Sequence, residues 1–409
     1  MFGNYWQSIL GLVSFFFIAF LMSENKKKIS LKYVLIGVVT QFVLAFLFLK
    51  LPLLSQGLLW FNGAVTVLQQ VTNEASQFMF GYLAGGPAPF DVSAPNQSFI
   101  VAFQVLPLIL VVSAISSVLF YMGILPFIIR NISHGLRKIF PISGPLGFGA
   151  GSTLFLGTIE APILIKPYLS KMTRSEIFSL LTCTMSTIAG TVMVLYSSVL
   201  VGVVENAIVH MITASVISIP AALALSHVMI PETESNSAAE VEMNDPNHSV
   251  LEALVRGTTE GLQMILHIVA VIIVLFALIY LFNRMLPFGW SLESGLGEML
   301  RPFMWLTGIP WGETSMAGQL MATKIMLNEF VAFIELGKAE YAGLSPRTRL
   351  ILTYALCGFA NFASVGIVIG GLSQLFESKR QIFIRLAGLS LISGNLSTLS
   401  TACVVSFLT

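Results

Sequence analysis

The sequence has few charges and few of the residues that build catalytic or metal sites. Only 10% of its 409 residues are Asp, Glu, Lys or Arg, whereas about a quarter are charged in a typical soluble domain. The net charge of +1 gives no electrostatic footprint for nucleic acid. Cys183, Cys357 and Cys403 lie in apolar segments and have neither metal-ligand spacing nor a disulfide pattern. These absences exclude a nucleic-acid partner and a disulfide scaffold.

Long apolar segments dominate instead, because 56% of the residues are hydrophobic. Crossing a bilayer takes about 20 apolar residues in a helix. The sequence therefore predicts an all-α, multi-pass protein of the cell inner (plasma) membrane with its N-terminus outside. We expect about eight transmembrane helices, at residues 5–22, 31–50, 100–128, 174–203, 207–229, 252–283, 346–373 and 381–406.

Three other segments are unlike these spans. Residues 55–85 mix polar and apolar side chains, which is typical of an interfacial amphipathic helix. Residues 141–168 and 300–336 are apolar but interrupted by glycine and proline. Basic residues flank 141–168 on both sides, and Lys and Arg favour the cytoplasmic face. Both ends of that segment then face the cytoplasm, so we predict that it and 300–336 are re-entrant helical hairpins.

The two halves of the chain resemble each other in this order of segments. Each hairpin is followed by a helix start, TRSE at 173–176 and SPRTR at 345–349, and then by two spans. One hairpin opens inward and the other outward, an inverted repeat typical of secondary transporters. We therefore predict four regions: scaffold helices with the interfacial helix (1–128), a first transport repeat (129–229), an acidic loop with a scaffold span (230–299) and a second transport repeat (300–409).

Each hairpin contains one glutamate in apolar surroundings, Glu160 in FLGTIEAPILIKPY and Glu329 in LNEFVAF. An ionisable group inside a membrane costs about 2.5–3.5 kcal/mol even on the lenient insertion scale, so both carboxylates need partners. An ionised carboxylate only accepts hydrogen bonds and suits a ligand with two adjacent donors, such as a vicinal diol. Asn361 and Ser364, spaced to share a helix face, extend this pattern. With Phe359 beside them, they indicate a polar, ring-shaped solute.

Hydroxyl groups offer a second kind of site. Thr153 and Thr187 lie in the first hairpin and the span after it. Their oxygens could help bind a hard cation such as sodium, although each could equally bond back to a helix carbonyl.

Three motifs in order resemble the concentrative nucleoside transporter family. GTIEAPILIKPY is similar to the family's first hairpin, LNEFVAF to its second, and ALCGFANFASVGIVIGGL to a following helix. The resemblance extends over nearly the whole chain. It implies a homotrimer in the lipid bilayer, each protomer with a scaffold and a moving transport domain, and symport of a nucleoside with Na⁺ or, in some members, H⁺. It implies no cofactor.

The resemblance also assigns roles to individual residues. It implies that Glu329, Asn361 and Ser364 bind ribose beside Asn328. The nucleobase would meet Thr158, Ile159 and Glu160, with apolar walls from Val192, Met264 and Phe359. The sodium position would fall on Thr153, Leu156, Thr187 and Ile188, partly through backbone carbonyls.

Departures from the family pattern fall at the base and ion positions. The family's Gln and Thr before the first glutamate are Thr158 and Ile159 here, and its Asn at the sodium position is Thr153. Ile159 has no hydrogen-bonding side chain, so a different base preference is expected. The loss of an amide oxygen at Thr153 leaves both Na⁺ and H⁺ open as coupling ions.

Two other classes of function remain as alternatives. An intramembrane enzyme could use paired carboxylates as acid and base, but no H-E-x-x-H or G-x-S-x-G motif is present. A passive channel for small polar solutes would not need broken hairpins around buried carboxylates. We therefore predict a secondary active transporter that imports nucleosides by alternating access, and not an enzyme.

Overall fold

The computed structural model describes residues 5–92, 98–158, 160–234, 248–286, 291–372 and 376–409. Within these ranges the regular structure is helical throughout, so the all-α expectation is confirmed. Most of the acidic loop at 231–249, and Ile159 of the first hairpin, lie outside the described residues.

The described residues of the first half form twelve α-helices, α1 to α12. They are Tyr5–Leu21, Leu31–Lys50, Pro52–Phe80, Val101–Gln104, Pro107–Tyr121, Ile124–Ile139, Gly144–Ser152, Glu160–Leu164, Lys166–Leu169, Arg174–Ser186, Gly190–Val199 and Ala207–Met229.

In the second half, the residues that the structure describes form seven more α-helices, α13 to α19. They are Val250–Met285, Leu292–Leu306, Thr314–Met326, Glu329–Leu336, Pro346–Leu356, Phe362–Ile367 and Arg380–Leu408.

Among the described residues, six helical segments are long and apolar enough to cross a membrane. They are Leu31–Lys50, Val101–Tyr121, Arg174–Val199, Ala207–Met229, Val250–Met285 and Arg380–Leu408. Six of the predicted spans thus have a counterpart. The first predicted span forms a shorter apolar helix, Tyr5–Leu21. The helix α3 is not among the six, and its position at the membrane interface stays a prediction.

The predicted span at 346–373 is wrong as a continuous helix. It is divided into α17 and α18 by an extended stretch, and Val368–Leu372 continues α18 as a π-helical turn. The physical reason is Asn361, whose extended backbone and side-chain cap begin a new helix at Phe362. The segment 174–203 is interrupted in the same way between α10 and α11.

Both predicted hairpins consist of short helices. The helix α7 has 9 residues and is about 14 Å long, less than half of the roughly 30 Å hydrocarbon core. Ser143 caps α7 by accepting from the Leu146 N–H. In the second half, α15 and α16 pack against each other, and Asn328 caps α16. None of these three helices could cross a bilayer alone, which favours the re-entrant prediction.

The helix starts after the hairpins are confirmed. Thr173 and Glu176 form a reciprocal capping box at the start of α10. Ser345 caps α17 with Pro346 in its first turn. The same order of hairpin, capped helix, break and short helix therefore occurs in both halves.

A packed group of helices surrounds the two breaks. The last helix α19 packs against α10, α12 and α17 and is buried over most of its C-terminal half. A separate pair forms where α13 lies along α5. There Gly257 and Gly261 face Ser113 and Ser117 so closely that a Cβ at Gly257 would come within 2.6 Å of the Ser117 Cβ. Small residues allow this close backbone approach, as in other membrane helix pairs.

Candidate functional site

The carboxylate of Glu329 lies buried at the first turn of α16, with 3% of the residue exposed. Its Oε1 accepts from the Tyr196 hydroxyl at 2.6 Å, and its Oε2 accepts from the Asn361 Nδ2 at 2.8 Å. A carboxylate has about four lone-pair positions. With two of them in use, Glu329 can accept further hydrogen bonds from a ligand with adjacent hydroxyl groups.

Asn361 and Ser364 are brought to this carboxylate by the break before α18. The Asn361 Oδ1 accepts from the Ser364 N–H at 2.8 Å and caps the helix. The other end of the same amide donates to Glu329, so the cap fixes the orientation of the donor. Both residues are buried. The structure therefore brings Glu329, Asn361 and Ser364 close to one another.

Asn328 precedes the carboxylate and has a supporting role. Its side chain accepts from the Val331 N–H at 3.0 Å and caps α16. A helix N-terminus carries a partial positive charge, which favours an anionic group in its first turn. Asn328 thus stabilises the N-terminus of α16, where Glu329 is the first helical residue.

Tyr196, on α11, is a site residue that sequence analysis missed. Its ring packs against Phe330 with 5.6 Å between centroids, and its hydroxyl reaches Glu329. Val192 lies one helical turn earlier on the same face. A tyrosine within an apolar span needs a partner for its hydroxyl, and this signal could have pointed to Tyr196.

Lys324 is a second buried charge that received no role from the sequence. It is fully buried near the end of α15, and its Nζ donates to Asn395 Oδ1 at 2.6 Å. The Asn395 Nδ2 in turn donates to the Ala360 carbonyl at 3.1 Å. Lys324 and Glu329 lie five residues apart on α15 and α16, which pack against each other. A lysine inside an apolar hairpin was the available signal.

The predicted base-contacting residues of the first hairpin differ from one another in burial. Thr158 is buried, whereas Glu160 is exposed at the start of α8. The Glu160 carboxylate lies over Gly157, where an added Cβ would come within 2.5 Å of Oε2. Gly157 therefore makes room for this side chain.

The predicted apolar walls come from three separate helical regions. Val192 is buried in α11. Phe359 is partly buried in the break before α18, and Met264 is partly buried on α13; both pack against the hydrophobic core.

The predicted ion residues meet where the first hairpin contacts the α10–α11 break. The Thr187 Oγ1 lies 3.4 Å from the Thr153 carbonyl oxygen and donates to the Cys183 carbonyl at 2.9 Å. The Thr153 Oγ1 donates to the Ala150 carbonyl. Each hydroxyl keeps lone pairs after donating its proton. Oxygen ligands of this kind suit a hard cation.

Ile188 and Leu156 complete this predicted ion set. Ile188 is fully buried and its N–H donates to the Ser215 Oγ at 3.3 Å. Leu156 is partly buried and follows the end of α7. Within the described part of the chain no cluster of His, Cys, Asp or Glu could hold a metal ion. A cation here would therefore rely on hydroxyl and backbone oxygens.

The two breaks contact each other directly. The Phe359 N–H donates to the Thr187 carbonyl at 3.3 Å. Phe359 belongs to the segment that carries Asn361, and Thr187 belongs to the predicted ion set. The carboxylate site and the hydroxyl cluster therefore share one piece of hydrogen-bonded backbone.

Models of known protein families match nearly the whole chain. The C-terminal and N-terminal models of the Na⁺ dependent nucleoside transporter match residues 210–406 and 10–83. A model described as Gate, nucleoside recognition, matches residues 102–203.

Relatives and solved structures agree with these models. The chain is 33% identical over 415 residues to nucleoside permease NupC of Helicobacter pylori, covering 97% of this chain and 96% of the relative. CNTnw, solved in an inward-facing substrate-bound state, superposes with a TM-score of 0.90 and 31% identity over 98% of both chains. A CNTnw variant in an outward-facing state gives a TM-score of 0.89 and 30% identity, covering 99% of this chain and 98% of that one. The chain therefore belongs to the concentrative nucleoside transporter family.

Proposed function

We propose that this chain imports nucleosides across the cell inner membrane by symport with Na⁺, through alternating access. Its family transports nucleosides and is not a family of enzymes. The observation that supports the proposal best is Glu329, a buried carboxylate held by Tyr196 and Asn361 with lone pairs left for a ligand. A vicinal diol presents two adjacent donors that fit such an acceptor.

In this proposal the ribose binds at the second hairpin. Its hydroxyl groups donate to Glu329, while Asn361 and Ser364 provide further polar contacts. Asn328 and Tyr196 hold the carboxylate in position from the helix end and from α11. A deoxynucleoside that lacks one of the hydroxyl groups would bind less tightly.

The nucleobase binds toward the first hairpin. Thr158, Ile159 and Glu160 contact its polar edge, as the family resemblance implies. Val192, Met264 and Phe359 provide apolar surfaces, and the aromatic ring of Phe359 suits a planar base. The short hydroxyl of Thr158 and the apolar Ile159 favour a base choice different from that of relatives with Gln and Thr.

The cation is a co-transported substrate that binds beside Thr153 and Thr187. Their carbonyl and hydroxyl oxygens provide ligands, with the backbone of Leu156 and Ile188. Because Phe359 is hydrogen-bonded to Thr187, a cation that orders this backbone also favours nucleoside binding. Such coupling is reciprocal, so the nucleoside would raise the affinity for the cation.

The moving part consists of the two hairpins and the broken helices around them. The close pair α5 and α13 belongs to the scaffold against which they move. We further propose a homotrimer in the lipid bilayer. Apolar side chains along α13, among them Leu262, Leu266 and Ile273, are exposed in the single chain and would be covered by lipid or by a neighbouring protomer.

Uptake into proteoliposomes tests this function. The purified protein is reconstituted, and accumulation of a panel of radiolabelled nucleosides is measured under a Na⁺ gradient alone or a H⁺ gradient alone. We expect accumulation above equilibrium with Na⁺ and its collapse after a sodium ionophore. Accumulation under the H⁺ gradient alone would identify H⁺, and not Na⁺, as the coupling ion. Equilibration without accumulation would indicate a passive channel and contradict symport.

A further inference from the structure

Lys324 is a fully buried lysine beside the proposed sugar site. None of its surface is exposed. Burial of an ammonium group is costly unless it is paired and hydrogen-bonded. Among the described residues, however, Lys324 is in no ion pair within 4.0 Å; the four such pairs all lie at exposed or partly exposed positions.

The polar partner of this ammonium is neutral. Asn395 on α19 accepts from Nζ at 2.6 Å and is otherwise occupied with two carbonyls, those of Ala360 and Leu391. A neutral amide satisfies one donor but cannot neutralise the charge. The buried carboxylate closest along the chain is that of Glu329, five residues later in α16, which packs against the α15 helix of Lys324.

Glu329 likewise has no charged side chain among its hydrogen-bond partners in the described part of the chain. Its two hydrogen-bond partners, Tyr196 and Asn361, are both neutral. In a low-dielectric interior, opposite charges interact over longer distances than in water. A nearby ammonium that does not bond directly to the carboxylate favours its ionised form and leaves its lone pairs free. Direct pairing would instead occupy the lone pairs that a ligand uses.

Asn395 also fixes the geometry of this arrangement. It joins the ammonium in α15 to the Ala360 carbonyl, one residue before Asn361. The same unit therefore holds the charge beside Glu329 and the backbone that carries the Asn361 donor. The Lys324 ammonium and the Ala360 backbone are therefore both held in place by a residue of α19.

We propose that Lys324 is a positioning residue whose buried ammonium, clamped by Asn395, keeps Glu329 a charged acceptor for the hydroxyl groups of the nucleoside sugar. This inference rests on the proposed function, since it assumes that Glu329 binds the sugar. It assigns Lys324 no direct contact with the substrate.

The test measures how strongly the protein distinguishes a sugar hydroxyl group. Binding of uridine and adenosine, each beside its 3′-deoxy analogue, is measured with purified full-length protein in Na⁺. Lys324→Met removes the charge and keeps an unbranched side chain, whereas Lys324→Gln restores a donor for Asn395 without the charge. Lys338→Met is the matched control, because Lys338 pairs with Glu335 at an exposed end of the same hairpin.

We expect the unmodified protein and Lys338→Met to prefer the ribonucleoside by about 10- to 100-fold, as for hydrogen bonds to a charged group. In both Lys324 variants, the affinity for each ribonucleoside should lie within about threefold of the affinity for its 3′-deoxy analogue. When Lys324→Met is added to Glu329→Gln, the preference should not fall further, because the two residues act through one acceptor.

Three results would distinguish a failure of the role proposed for Lys324 from a failure of the role proposed for Glu329. Full hydroxyl preference in Lys324→Gln would show that only a hydrogen bond to Asn395 matters, and would overturn the charge role; this variant decides alone if Lys324→Met does not fold. Preference lost in Glu329→Gln but kept in both Lys324 variants would overturn the inference and leave the proposed function intact. Preference unchanged in Glu329→Gln would overturn the sugar role itself.

Discussion

Glu329 and Asn361 are joined across two interruptions of the helical chain. The Asn361 Nδ2 donates to the Glu329 Oε2 at 2.8 Å, although one residue begins α16 and the other caps α18. Each side chain is presented by the end of a helix, where the backbone leaves the regular hydrogen-bonding pattern. A small polar ligand bound here would contact two helix ends of the second repeat at once.

Replacement of Glu329 by Gln should remove most of the nucleoside affinity. The amide has no charge and offers a single acceptor oxygen, so two charge-assisted hydrogen bonds weaken and the dissociation constant should rise by about 100-fold. Equilibrium binding to the purified protein measures this change. Glu335→Gln is the control, because Glu335 lies on the same helix and pairs with Lys338 outside the site. Equal affinity in the two variants would contradict the ribose role.

Tyr196→Phe should reduce affinity less. The ring and its packing on Phe330 remain, but the Glu329 Oε1 loses the hydroxyl donor at 2.6 Å. One hydrogen bond to a charged group corresponds to about tenfold in affinity. Tyr82→Phe, at a half-exposed ring, serves as control in the same binding assay. A Tyr196→Phe protein with unchanged affinity would show that this hydroxyl does not support the carboxylate.

Thr153→Ala should alter the cation dependence of uptake rather than the maximal rate at saturating Na⁺. An oxygen ligand worth about 1.4 kcal/mol corresponds to about a tenfold rise in the Na⁺ concentration for half-maximal uptake. Thr184→Ala is the matched control, since Thr184 is buried on α10 and bonds back to the Leu181 carbonyl. The proposed ion position would be rejected by identical Na⁺ curves for both variants.

Thr158→Gln combined with Ile159→Thr should shift the base preference. These changes restore the hydrogen-bonding side chains of the common family pattern next to Glu160. Competition by a panel of purine and pyrimidine nucleosides measures the order of preference before and after. The order should change while the preference for an intact ribose stays. If the order is retained, the choice of base depends on residues other than these two.

Gly257→Ala should weaken the packing of α5 and α13. A Cβ at this position would lie 2.7 Å from the Ser113 carbonyl oxygen, and overpacking of this kind costs about 1–3 kcal/mol. Thermal unfolding in detergent should therefore begin at a lower temperature. Gly388→Ala on α19 meets no atom within 4 Å and should leave stability equal or slightly higher. Equal stability in both variants would show that α5 and α13 separate without cost.

Local patterns in the sequence were sufficient for the helix starts, whereas of the two hairpin glutamates only Glu329 is buried. Thr173 with Glu176, and Ser345 with Pro346, form their caps within a few residues, so neighbours along the chain decide them. The broken hairpins followed from glycine and proline, which disfavour a continuous helix.

Contacts between distant segments could not be derived in this way. The partners of Lys324 and Glu329 are Asn395 and Tyr196, which lie 71 and 133 residues away along the chain. The break at 357–361 was also missed, because its residues are as apolar as a span. What ends α17 there is the extended backbone that Asn361 needs in order to cap α18, a choice made by tertiary structure.

The length of α13 has a consequence for how the protein sits in a membrane. Its 36 residues extend over about 54 Å, whereas the hydrocarbon layer is about 30 Å thick. The exposed pair Arg256 and Glu260 belongs to its first turns, which we therefore expect to project into water. Gly257, and with it the tightest contact to α5, lies in that projecting part. A thicker or thinner bilayer would change the length of α13 that is covered by lipid. The contact between α5 and α13 at Gly257 would stay outside the hydrocarbon layer.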